Sequence, residues 1–489
     1  MTESNTYSRL AGCSDNAYEK AASWQGITAD NLGSPAFKQE YKVKYAYAAG
    51  AMYRGIASSR LVIRMARAGM LSFLGTGGLS LTKIADEIKF IRNELGNGET
   101  FGVNLLFQPS EPWIEEEQVE FYLKEAIRYA EVSAYMQGLS LPLVRYRLTG
   151  AVRNSDGTIN LPNKVLAKVS RPEVATVFLS PPPETLVQRL LEQNKITAAE
   201  AGIAPFISMA DDITVEADSG GHTDRGVALV LLPSMILLRD ELMRKYKYSK
   251  KVRVGAAGGI GVPESAAAAF IMGADFIVTG SINQCTVEAG TSNQVKDMLQ
   301  AMNVQDTEHA PAGDMFELGA KVQVLKKGIF FPARANKLYE MYRRYNSLDE
   351  IDASTRAQIE HRYFKRTFAQ VYEETKTYYS KRDPAVIAAA EANPKLKMAL
   401  VFRWYFGYTN QLALSGTPGQ TVDYQIHTGP ALGAFNQWVK GTPLENWNNR
   451  HVDEIALHLL KHTASLLSRR FPVARDPSCV RNGDENEAL

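Results

Sequence analysis

The chain has 489 residues, 45% of them hydrophobic, which is too long for one ordinary domain and suits a large domain with a second unit. Lys and Arg number 55 against 53 Asp and Glu, and a net charge of +2 argues against nucleic acid or a membrane surface as main partner. Cys13, Cys285 and Cys479 stand too far apart for a disulfide framework or a zinc spacing. The amino terminus has no charged-then-apolar leader, and the longest apolar run, "VALVLLPSMILL", falls short of the roughly 20 residues of a membrane span. A reduced, cytoplasmic protein is expected.

In chain order, strands are predicted at "VKYAYA" (43–48), "MLSFLG" (70–75), "FGVNLLF" (101–107) and "EVSAYM" (131–136). Four more follow at "KVLAKVS" (164–170), "DITVEA" (212–217), "VRVGAA" (252–257) and "DFIVTG" (275–280). Helical patterns such as "SSRLVIRMARAG" and "PESAAAAFIMGA" lie between them. Eight β–α units within this length match a (β/α)₈ TIM barrel. A doubly wound open sheet is the competitor, and the strand count favours the barrel. Beyond about Asn303 the pattern changes, and residues 334–489 are aromatic-rich and largely helical, with strand signals nearly absent. The chain therefore divides into an amino-terminal extension (1–40, peripheral), a barrel (41–305), and a mostly helical carboxyl-terminal domain (306–489) acting as lid or substrate unit.

With eight units in register, the small-residue clusters fall at one end of the strands. Gly50, Ala51 and Met52 end the first, "GTGG" follows the second, and Asn104 lies in the third. "SGGH", with Gly221 and His222, follows the sixth. Gly258 and Gly259 follow the seventh, and Gly280 and Ser281 the eighth. Carboxyl ends of barrel strands are where active sites are built, and a phosphate commonly sits in the loops after strands seven and eight. Two glycine turns there, helped by a short helix start near Asn293, fit such a group because a Cβ would hold the anion away. Asn104 divides between bracing a neighbouring backbone and touching a ligand. His222, behind two glycines at the same barrel end, is the candidate for chemistry.

The acids Asp211, Asp212, Glu216 and Asp218 resemble a metal cluster, but alternating faces of one strand cannot bring all four together, and no metal is expected. The basic run Arg239–Arg253 carries seven cations against two acids. It reads as a solvated helix end or a docking surface for an acidic protein. Cys285 reads as a buried small residue.

Read together, "GAM…GIAS", "GVNLL", "DITVEADSGGHTD", "AAGGIGVPESAAAAFIMGADFIVTGSINQ", "VEAGTS" and "DMFELGAKVQVLKKG…FPARANKLYE" closely resemble the PfaD family. These are the trans-acting enoyl reductases of polyketide and polyunsaturated fatty-acid synthases, within the nitronate monooxygenase superfamily of FMN barrels. The resemblance runs from about Tyr41 to about Arg470 and includes "FRWYFGYTNQLALSG…DYQIHTGPALGAFNQWVKG", which simple nitronate monooxygenases lack. It implies FMN as cofactor, NADPH (or NADH) as hydride donor, and an enoyl thioester on an acyl carrier protein as substrate. By the same resemblance Gly50, Ala51, Met52, Asn104 and Gly221 would contact the flavin. Gly258, Gly259, Gly280 and Ser281 would hold its phosphate, and His222 would be the active-site histidine. No carrier motif of the Asp-Ser-Leu type occurs in the chain, so the carrier is expected from a separate synthase, docking on Arg239–Arg253 or on Lys321–Lys337. A nitronate monooxygenase and a non-catalytic synthase-associated flavoprotein are the alternative functions. The oligomeric state stays open, a homodimer being one option.

Overall fold

A computed structural model describes residues 26–471 apart from 97–99, 109–110, 137 and 381. Eight parallel strands close into a barrel: β1 Tyr47–Ala49, β2 Leu71–Leu74, β3 Gly102–Leu106, β4 Tyr129–Ser133, β5 Lys164–Val169, β6 Asp212–Glu216, β7 Arg253–Ala257 and β8 Phe276–Thr279. They follow one another around the barrel in chain order, and β8 pairs back onto β1. Every expected strand is present, and closure decides for the barrel over the open sheet. The strands are short and buried on both faces, as β2 and β8 illustrate, which is why they read as unbroken apolar runs. The boundaries differ most at β1, which starts at Tyr47 where 43 was expected, and at β4, which runs Tyr129–Ser133 ahead of the expected 131–136.

Residues 35–41, expected to be peripheral, form a helix that closes the amino end of the barrel. Ser34 caps it, and Pro35 at its first position suits a helix start. Phe37 stacks on Phe276 at 4.3 Å, and the Tyr41 hydroxyl donates to Asp212 Oδ2 at 2.6 Å. Asp212 also accepts both Arg253 Nε and Nη2 at 2.6 Å, a buried fork-to-fork pair. Asp211 is held by Arg147 through Nη1 alone, the other guanidinium nitrogens donating to Ser208 O. The acidic cluster of the sequence is thus divided, with Asp211 and Asp212 below the barrel and Glu216 and Asp218 above it.

Past the barrel, β9 Thr307–Pro311 and β10 Lys321–Leu325 form an antiparallel pair, and β10 pairs on its other edge with the two-residue strand Gly221–His222. This sheet was not expected: β9 and β10 lie in the stretch 306–489 read as mostly helical, although "KVQVL" of β10 alternates as a strand does. Its members are short, and β9 ends on a proline, which is tolerated only at an edge or a strand end. The rest is helical as expected, including Phe331–Arg344, Phe368–Ser380 and Pro394–Ser415. Phe402, Tyr405 and Phe406 of the last pack with Phe316, Phe331 and Phe364 in an aromatic core. Helix Val452–Arg470 returns to pack against the barrel helix Pro263–Ile271. Among the described residues no helix is long and apolar enough to cross a membrane.

Candidate active site

The carboxyl ends of the barrel strands open into a cavity of about 2120 Å³, whose opposite wall comes from residues beyond 312. All ten residues singled out in the sequence lie in or against this space except Gly258's missing side chain, which is turned toward the β6 loop. A Cβ on Gly258 (φ +83°) would meet Ala217 O at 2.6 Å, so this glycine is required by loop packing. Beyond Gly259 (φ +74°) and Gly280 a Cβ would meet nothing within 4 Å. The two turns after β7 and β8 therefore present bare backbone to an open space. The helix start beside them is that of Ser281–Gln284, while the one at Asn293 is capped by Ser292, whose hydroxyl donates to Ala413 O. Ser281 Oγ accepts from Gly429 N at 2.9 Å and ties the β8 loop to the far wall.

On the floor, the loop after β1 rests on a buried carboxylate. Ala51 N donates to Glu131 Oε2 at 2.9 Å, while Glu131 Oε1 is buried without a partner among the described residues. Asn104 sends Nδ2 to Glu131 O at 2.9 Å and to Ser133 Oγ at 3.2 Å, so it braces β3 against β4 while lining the cavity. The bracing contact is present, on a residue that also faces the cavity. Lys168 of β5 reaches Glu216 Oε1 at 3.0 Å. Burial pushes the Glu131 carboxyl up to about 7, against the pull of Lys168 and the Ala51 amide. Burial opposes the Lys168 ammonium as well, but Glu216 and Glu131 outweigh it and hold it charged. Neither Glu131 nor Lys168 was singled out in the sequence. The available signal was one charged residue inside each of two otherwise apolar strands.

His222 stands on the opposite side. Its short strand is fixed by β10, with Thr223 N donating to Lys321 O at 3.1 Å. Its Nε2 lies 2.9 Å from Asp314 Oδ1, and its side chain is 42% accessible, through the cavity. Burial works against the imidazolium, yet the charge and hydrogen bond of Asp314 outweigh it, so the pKa is raised above its ordinary 6.5. Asp314 in turn is lowered to about 2: burial raises it, and His222 more than reverses that. Of the two glycines before it, Gly220 serves the protein itself, since a Cβ would fall 2.7 Å from Thr428 Cα. Gly221 adopts φ +87°, and a Cβ there would lie 3.6 Å from Nδ1 of His427, a second cavity histidine. Cys285 is buried with Arg450 Nη1 3.3 Å from its sulfur, and burial pushes its thiol up to about 11. It is a packing residue.

The barrel coincides with a family match: residues 34–320 fit the nitronate monooxygenase model. The chain belongs to that family. Residues 345–424 separately match the inserted helical domain of [acyl-carrier-protein] S-malonyltransferase. Polyketide biosynthesis protein PksE of Bacillus subtilis is 58% identical over 453 residues, covering 93% of this chain and 58% of that protein. A polyunsaturated fatty acid synthase component of Thraustochytrium sp. is 42% identical over 449 residues, covering 91% of this chain and 30% of that protein. The chain thus spans less than two thirds of the curated relatives it matches. Among solved structures, the enoyl reductase domain of MlnA from Bacillus amyloliquefaciens superposes with a TM-score of 0.87 at 48% identity, over 90% of this chain and 99% of that one. The resemblance drawn from the sequence motifs is borne out by these relatives.

Proposed function

We propose that the protein is an FMN-dependent enoyl reductase that acts in trans on enoyl thioesters carried by an acyl carrier protein. The observation that carries this reading is the His222–Asp314 pair sharing one cavity with the open glycine turns after β7 and β8. The residues present fit the cofactor. Gly259 and Gly280 leave the space a phosphate needs, and the unpartnered Glu131 Oε1 and the Lys168 ammonium offer polar groups to a flavin ring near Gly50–Met52 and Asn104. When bound, FMN would pass a hydride from NADPH (or NADH) to the β-carbon of the enoyl group. The sum is enoyl thioester plus NAD(P)H plus a proton, giving saturated thioester and NAD(P)⁺.

The chain's own work is positioning and proton delivery. His222, whose protonated form Asp314 favours, gives its proton to the α-carbon and is recharged from solvent through the cavity. The part beyond 312, whose residues between Gly313 and Ala431 line the cavity, roofs it, limits water and receives the acyl chain. The relatives support this assignment, because the solved one is an enoyl reductase domain and the curated ones are polyketide and polyunsaturated fatty-acid synthase proteins.

Anaerobic incubation of FMN-loaded protein with NADPH and crotonyl-loaded carrier protein should add two hydrogens to the acyl group, read by mass. A protein that cannot be loaded with FMN, or that turns over alkyl nitronates with O₂ but leaves the crotonyl group intact, would refute the proposal.

A further inference from the structure

The segment Tyr424–Gly429 crosses the cavity in an extended form and is locked at both edges. Leu325 N donates to Ile426 O at 2.9 Å, Thr428 N to Gln323 O at 3.3 Å, and Gly429 N to Ser281 Oγ. His427 therefore sits in a fixed place opposite Gly221–His222. Resting on the enoyl-reductase reading above, we infer that His427 is a second catalytic imidazole, which donates a hydrogen bond from Nδ1–H to the thioester carbonyl while His222 supplies the proton.

Three features support this division of labour. The first is the tautomer. Gln425 Nε2 lies 2.6 Å from His427 Nε2, and the Thr409 hydroxyl, which donates to Tyr405 O at 2.9 Å, lies 3.2 Å from Gln425 Oε1. With the amide nitrogen facing the ring, Nε2 accepts and the ring proton belongs on Nδ1. The second is access. Nδ1 has no hydrogen-bond partner among the described residues, and the ring lines the cavity.

The third is charge. Burial and the neighbouring His222 push the His427 pKa down to about 4, with Asp314 pulling weakly the other way, so the ring is neutral at neutral pH. Two imidazoles in one cavity are thus driven apart, one toward the cation and one toward the neutral form, which is the pattern that separates an acid from a neutral donor. Negative charge collects on the carbonyl oxygen as the hydride reaches the β-carbon, and a preorganised donor aimed at that oxygen is typically worth about 10²–10³ in rate.

The test uses holoprotein without reductant, so that crotonyl-pantetheine, ¹³C-labelled at the carbonyl, binds and does not turn over. Its infrared carbonyl stretch should fall on binding to wild type and to His222→Gln, and should return toward the free value in His427→Phe. Enoyl reduction by His427→Phe should drop about 10²–10³-fold while flavin reduction by NADPH is unchanged. His427→Gln, which keeps an N–H donor, should recover part of both signals and guards against a misfolded Phe variant. A His427→Phe protein with the wild-type stretch and rate overturns the inference, as does loss of the stretch in His222→Gln alone. If wild type neither binds nor reduces the thioester, it is the enoyl-reductase reading that fails.

Discussion

His222 carries the sharpest prediction at the scale of single residues. A general acid contributes about 10²–10⁴-fold, so His222→Gln should slow enoyl reduction by that factor while NADPH still reduces the flavin at its normal rate. Stopped-flow measurement of the two half-reactions separates them, and an equal loss in both would make His222 a cofactor residue. The pH profile follows from Asp314. His222 donates only when protonated, and its pKa is raised, so enoyl reduction should hold on the acid side and fall as pH climbs through that raised value. The Gln variant should lose this fall. The histidine was legible in the sequence because two glycines mark it as the end of a strand. Its partner was not. Asp314 lies 92 residues further on, and only the antiparallel pairing of β10 with Gly221–His222 brings it within reach. His427 was hidden for the same reason, and Gly220, read as clearance for a ligand, is clearance for Thr428.

The barrel elements were legible because burial on both faces writes a strand as an apolar run, and eight such runs leave few alternatives. The small sheet was not, since a two-residue strand has no periodicity and "TEHAP" has no alternation to detect. Charged residues at the amino ends of β5–β7 belong to another kind of function. Arg147 is buried and reaches Asp211, Asn163 O and Ser208 O, tying the loop before β5 to the one before β6. Arg147→Met would leave Asp211 buried with only Val165 N and more distant lysines, and should cost about 3–5 kcal/mol of stability in urea unfolding. Burial opposes the Asp211 charge, but Arg147, Lys164 and Lys250 hold its carboxyl well below the usual range. That stabilisation is present above an unfolded pKa of about 4 and is lost on acidification, so the gap between variant and wild type should narrow below about pH 4. Because this pair lies at the end of the barrel away from the cavity, folded variant should reduce substrate normally. Impaired turnover at full folding would contradict that separation.

At the scale of the whole molecule the proposed reaction adds one constraint: a carrier would have to approach the mouth of the cavity. Of the two basic segments, Arg239–Arg253 is poorly placed. Arg253 is buried against Asp212 at the amino end, Arg239 is buried against Asp240 and Val252 O, and Lys250 pairs with Glu40. These three cations serve stability, and although Arg244, Lys245, Lys247 and Lys251 are exposed, no residue of the segment lines the cavity. In Lys321–Lys337, Lys321 lines the cavity beside the exposed Arg225, and Lys326, off the cavity wall just past the other end of β10, is exposed with no ion pair among the described residues. An acidic carrier docking there would gain from charges that salt screens within about 8 Å at physiological ionic strength. The apparent KM for crotonyl-carrier protein should therefore rise from low to high salt, while that for crotonyl-pantetheine, which has no acidic surface, stays nearly constant. One exposed pair is worth about 0.2–1 kcal/mol, so Lys326→Glu should raise the carrier KM by at least roughly 1.4- to 5-fold at low salt and leave kcat alone. The same variant should shrink the salt response, because one of the screened contacts is already gone. Equal salt responses for both substrates, or a Lys326→Glu effect that appears with crotonyl-pantetheine too, would remove this face as the place where the carrier docks.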